Sequence, residues 1–246
     1  MKAIWATFSR ELRAYFFSPL AYIVLFFFLV INGIVFAIIV TSLNDPRSPA
    51  GPPLELFFGG TFLFWLVLLF ITPILTMRLI SEELRSGSVE VLMTAPITEG
   101  QVVAGKFLAV LTFYAFLWAP TLAYAGIVAY NSKVDWGPVV SGYLGILIIG
   151  ALLLAIGTFA SAVTKSQLVA AMITVAILIP LFLFGLLESM FDGEVAKQVI
   201  SYLSLANQMD ELAKGIVDTR RLVLCASVSW FFLFLASRAL EDKKWR

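Results

Sequence analysis

The sequence predicts an all-α integral membrane protein, six transmembrane helices preceded by an N-terminal interfacial helix. Three observations carry that reading. The 246 residues are 61% hydrophobic and 13% charged, where a soluble domain carries about 25% charged residues. Six uncharged stretches approach or exceed the roughly 20 residues that cross a bilayer. The segment before the first of them sets aromatic residues against basic ones at helical spacing.

That opening segment, residues 1–17, reads MKAIWATFSRELRAYFF. Trp5, Phe8, Leu12, Tyr15 and Phe16 share one helical face, and Lys2, Ser9, Arg10 and Arg13 the other. A helix of this pattern lies in the membrane interface with its basic face toward headgroups; a plain extension of the first span is the simpler reading. The run that follows lacks the short apolar core and small-residue cleavage site of a signal peptide.

The spans are expected at 20–43, 57–77, 107–131, 139–164, 166–187 and 221–239. Lys165 alone separates the fourth from the fifth. The sixth is the shortest, with Arg221 and Arg238 placed to snorkel outward. Pro73, Pro120 and Pro180 are expected to kink the second, third and fifth spans, since each removes a backbone donor. Small residues recur four apart at Ala151 and Ala155, and again at Gly157 and Ser161, either for close packing inside one chain or as a dimer face. Of the 17 lysines and arginines, eleven fall on the side holding both termini and six on the other. The positive-inside rule then places both termini in the cytoplasm.

Two connections are more than links. Residues 78–106 carry four glutamates and three basic residues. Glu82, Glu83 and Arg85 are expected to prolong the second span beyond the membrane, and Gly87 to break it. A short helix from Ser88 would show Val89, Leu92 and Met93 on one side, and Ala95-Pro96 would end it. Apolar residues presented to water on such a helix call for a cover, a soluble partner or the lipid surface. Thr98 and Gln101 form a capping-box pattern that starts the third span. On the opposite side, 188–220 is too long for a simple connection. It reads as two helices with Gly215 as the C-terminal cap of the second and Ile216 behind it. They either cover the bundle, dip into the outer leaflet or stand as an exposed hairpin.

Several chemistries are excluded. With no histidine and one cysteine, Cys225, the chain can hold no Ser-His-Asp triad, no HExxH zinc site and no internal disulfide. No carboxylate lies within a predicted span, which argues against intramembrane catalysis and for amphiphilic, lipid-linked or apolar cargo over ions. Gly100 to Lys106 fits the GxxxxGK of a phosphate-binding loop, but Phe107 stands where a Ser or Thr is needed and no strand precedes it. A net charge of +1 gives no reason to expect nucleic acid.

The interfacial helix, the six spans, EELRSGSVEVLMTAPITEGQVVAGK and the late YLSLANQMDELAKGIVDTRRLV together resemble the ABC-2 family of ABC transporter permeases, and within it gliding-motility-type permease subunits. The most specific parts are Glu82-Glu83 through Gly87, Leu92 through Pro96, and Gly105-Lys106; Met209 stands where relatives often carry an aromatic residue. The resemblance implies a type V ABC exporter-like permease in a bacterial inner membrane, paired with a second permease subunit as a homodimer or heterodimer. It further implies a dimer of cytoplasmic ABC ATPase subunits that uses the ATP, with no cofactor bound by this chain and only membrane lipids as further partners. The ATPase would couple through 82–95, at Glu82, Glu83, Arg85, Gly87, Val89, Leu92 and Met93. Tyr202, Leu203, Met209 and Gly215 would form the external gate, and the first, second and fifth spans would line the route. A membrane anchor or scaffold in a motility or secretion complex is the alternative role.

Overall fold

The computed structural model describes residues 2–43, 53–87, 97–131, 133–187 and 194–244. Among them are twelve α-helices, one 3-10 turn and no strand. In chain order these are α1 (Lys2–Phe17), α2 (Pro19–Leu43), α3 (Pro53–Phe57), α4 (Phe62–Thr76), α5 (Ser81–Ser86), α6 (Glu99–Trp118), α7 (Leu122–Asn131), α8 (Trp136–Val163), α9 (Gln167–Leu187), α10 (Glu194–Leu203), α11 (Leu205–Ala213) and α12 (Thr219–Lys244). Six helical stretches are long and apolar enough to cross a membrane: α2, α4 with α5, α6 with α7, α8, α9 and α12. Their alternation puts α1, α5, the start of α6 and the end of α12 at one face, the N-terminal face. Helices α3, α10 and α11 lie at the opposite one.

Local signals explain most boundaries. Asp135 starts α8, its carboxylate accepting from Gly137 N–H at 3.0 Å. The capping box at Thr98 and Gln101 forms, so the third span begins at Glu99 and not near 107. Pro120 falls in a 3-10 turn, Ala119–Thr121, that divides this span into α6 and α7. The sixth span is longer than its uncharged run, because α12 continues to Lys244. Inside the spans, hydroxyls return to the carbonyl four residues back, as Thr72 does to Leu68 (2.8 Å), Thr158 to Leu154 (2.7 Å) and Thr174 to Ala170 (2.8 Å). That satisfies them where no water is present.

The second span departs from expectation. Glu82, Glu83 and Arg85 do not prolong it as one helix. It stops at Thr76, turns through 77–80 and resumes as α5. The cause is a side chain on another helix. Ser161 of α8 accepts the Ile80 and Ser81 N–H groups, both at 3.0 Å, and donates to Met77 carbonyl at 3.3 Å. It thereby supplies partners that the interrupted helix cannot. Gly157, one turn before Ser161, lies against Thr76. These small residues of α8 are thus used for packing inside the chain.

Helix α8 is the axis of the bundle. Its apolar stretch is 67% buried, against 17% for α9 and 11% for α12, so the last two keep broad apolar faces outward. Toward the outer face Phe57, Phe58, Trp118 and Tyr124 form an edge-to-face aromatic cluster, and such pairs add about 0.5–1.5 kcal/mol each beyond burial.

Candidate functional site

At the N-terminal face α1 lies against the first turns of α6. Gly105 permits the approach. A methyl group on it would stand 2.8 Å from Thr7 Cβ and 3.0 Å from Ile4 carbonyl, closer than such atoms pack. Tyr15 stacks on Phe113, with ring centroids 5.1 Å apart, and Phe16 meets Phe113 and Phe116 edge-on. Burial first, then the nearby Glu11, raise the Tyr15 phenol above its ordinary pKa. It therefore stays a donor, to Leu75 carbonyl at 2.7 Å. The far edge of the aromatic face, Trp5 and Phe17, remains exposed. One face of α1 thus packs on protein while its margins stay free for lipid.

One residue beyond Gly105 lies the centre of the site. The Lys106 side chain is only 1% exposed. Its Nζ is 3.0 Å from Glu11 Oε1, 3.0 Å from Glu83 Oε1 and 2.7 Å from Leu79 carbonyl, one acceptor for each ammonium donor. Arg10 Nη2 reaches the same two carboxylate oxygens, both at 2.7 Å. Two cations and two carboxylates cancel in charge. The cluster joins α1 (Arg10, Glu11), α5 (Glu83) and α6 (Lys106). Removing the buried Lys106 costs about 3–5 kcal/mol, because it strands the two carboxylates. The three helices are accordingly tied at this point.

The expected coupling residues fall into four groups. Glu83 is in the cluster. Glu82 and Arg85 are exposed, and among the described residues no ion pair reaches either. Gly87, at φ +73°, ends α5 in the left-handed conformation. Val89, Leu92 and Met93 lie outside the described residues, as does the expected short helix between 88 and 95.

The expected gate residues are also divided. Met209 of α11 is fully buried, and its sulfur would stand 3.1 Å from a methyl group on Gly145 of α8. Ser141 of α8 donates to Leu212 carbonyl at 2.6 Å. So α11 covers the bundle and is no exposed hairpin. Gly215 at φ +84° follows it. Gly215 N–H bonds Leu212 carbonyl at 3.1 Å, and Ile216 N–H bonds Glu211 carbonyl at 2.9 Å, the paired bonds of a Schellman cap. Ile216 itself stays exposed. Tyr202 and Leu203 are exposed at the end of α10. Arg221 lies over the Tyr202 ring, 6.0 Å from its centroid, and pairs with Glu211 at 2.9 Å.

Between α4 and α9 a cavity of about 320 Å³ opens, walled by Phe62, Trp65, Leu69, Ile179 and Phe182 and closed by Ala206 and Asn207 of α11.

Sequence reasoning did not anticipate Lys106 and Glu11 as partners. The available signal was the GxxxxGK match itself. Once the phosphate loop is rejected, a glycine and a lysine remain at the mouth of an apolar run without an assigned task. In the structure 100–106 is helical, and both residues serve to seat α1.

A family model described as ABC-2 family transporter protein matches residues 55–237, which spans α3 to most of α12 and includes Glu83 and Lys106. No curated protein matches the chain.

Proposed function

The chain belongs to the ABC-2 family of transporter proteins, and we propose that within it this is the permease subunit of an exporter driven by a separate cytoplasmic ABC ATPase. The N-terminal face is read as cytoplasmic from the eleven basic residues on that side. A second permease subunit completes the route, and the likeness to gliding-motility-type permeases belongs to the same reading.

One observation carries it, the joining of Glu83 to Lys106 and Glu11. Helix α5 forms the first part of 82–95, the segment expected to couple to the ATPase. A push on that segment reaches Glu83, and the buried Lys106 cannot release a carboxylate cheaply. The push is therefore shared with α6, which crosses the membrane, and with α1. A hub of this kind suits the conversion of movement outside the membrane into movement of spans. The cavity between α4 and α9 supports an amphiphilic, lipid-linked or polymeric cargo, since its walls offer apolar and aromatic surface to an acyl chain.

The test is photo-crosslinking from position 92 in the full-length chain in native membranes. The expected adduct is a protein with an ATP-binding cassette. Adducts with lipid alone, with no ATPase, would favour a membrane anchor.

A further inference from the structure

Beneath the elbow between α1 and α2, at Ser18, a cleft of about 220 Å³ opens among α1, α2, α4 and α6. Its two ends differ in chemistry. The mouth is lined by Glu11, Arg78 and Glu82, while the inner wall is Ala21, Val24 and Ile74 from the spans. Polar groups therefore sit at headgroup level and apolar ones at acyl level, in the leaflet of the N-terminal face.

Charges at the mouth are held apart. Arg78 and Glu82 are four residues apart, a spacing that forms ion pairs on a continuous helix. Here the turn through 77–80 intervenes, and among the described residues neither pairs with the other. Arg78 donates from Nε to Gln167 at 3.1 Å, which leaves its four terminal N–H donors for another acceptor. Glu82 has no ion-pair partner among the described residues, whereas Glu11 on the same wall is already paired with Arg10 and Lys106.

We propose that this cleft binds a membrane phospholipid with a phosphoethanolamine headgroup. The phosphate takes the Arg78 fork, which matches its geometry. The ammonium takes Glu82, with Glu11 beside it, and an acyl chain runs along Ala21, Val24 and Ile74. A headgroup that is only anionic leaves Glu82 unmatched, and one that is only cationic leaves Arg78 unmatched; a zwitterion satisfies both. A primary ammonium brings three N–H donors to the carboxylates, and choline brings none. The lipid would bridge α1, α2 and α4.

The test uses the purified, delipidated full-length chain in detergent. Native mass spectrometry would follow titration with phosphatidylethanolamine, phosphatidylcholine or phosphatidylglycerol of one acyl composition. Phosphatidylethanolamine should bind roughly tenfold more tightly than either other lipid, the scale expected of one charge-assisted contact. Arg78→Ala should weaken all three. Glu82→Gln should abolish the preference over choline and raise phosphatidylglycerol binding. Both positions are exposed, and matched melting curves would confirm intact folding. Equal binding of the three lipids by the unaltered chain, or a preference that survives both substitutions, would overturn the proposal. So would efficient disulfide cross-linking of two chains through Ser18→Cys in native membranes, because the cleft would then hold a second copy.

Discussion

The Lys106 ammonium stands 3.0 Å from Glu83 Oε1, which fastens the third span to the segment leaving the second. Glu11 shares the same ammonium at 3.0 Å. Any force applied to α5 must therefore act on α1 and α6.

The first prediction concerns that charge balance. Lys106→Met leaves Glu11 and Glu83 close together with only the half-exposed Arg10 between them. Stability should fall by about 3–5 kcal/mol, measured by thermal unfolding of the purified chain. Adding Glu83→Gln to Lys106→Met should restore part of the loss, since a neutral side chain need not be paired. A double variant less stable than Lys106→Met would show that the lysine acts through packing alone.

Gly105 offers a second, steric handle on the same contact. Gly105→Val should displace α1 from α6 while leaving the spans inserted. A thiol reagent should then label Thr7→Cys, buried in the parent chain, much faster. Unchanged labelling would mean that α6 or α1 yields without separating.

A third prediction addresses the outer face. Gly215 is held at φ +84° by the paired bonds that end α11. A β-branched residue adopts that region at a cost of roughly 1–2 kcal/mol or more, so Gly215→Val should lower the melting temperature and Gly215→Asn should lower it less. If α11 gates the route, ATPase turnover of the assembled complex falls with it. Parent-like stability and turnover in Gly215→Val would leave Gly215 as ordinary loop punctuation.

Orientation supplies a fourth. With the N-terminal face cytoplasmic, cysteines at Ser48 and Glu194 should react with an impermeant thiol reagent in intact cells, and one at Ser88 should not. The reverse pattern would invert the topology.

The parts legible in the sequence are those whose causes are local. The six spans follow from uncharged length, the start of α6 from Thr98 and Gln101, and the end of α11 from Gly215. The break after Thr76 was not legible because Ser161, more than 80 residues further on, supplies its hydrogen bonds. The charge cluster was hidden for the same reason. Glu11, Glu83 and Lys106 lie on three separate elements, and each alone resembles an ordinary solvated charge near a helix end. Glu83 was expected to couple to the ATPase, and the structure gives it partners within the chain, Arg10 and Lys106. Met209 was expected at the external gate, and its burial against Gly145 of α8 was not legible because that fit leaves no periodic signal.

In the proposed exporter, ATPase movement reaches the spans through the contact between Glu83 and Lys106. The most direct measurement of this is the ATPase rate of the complex reconstituted in bilayers, relative to the ATPase alone, for the parent chain, Glu83→Gln, Lys106→Met and the double variant at equal assembly. Each single substitution should reduce the permease-dependent rate, and the double variant should be no slower than the slower single one, since contacting residues that act together are not additive. Parent-like rates in both single variants, or losses that simply add in the double, would contradict it.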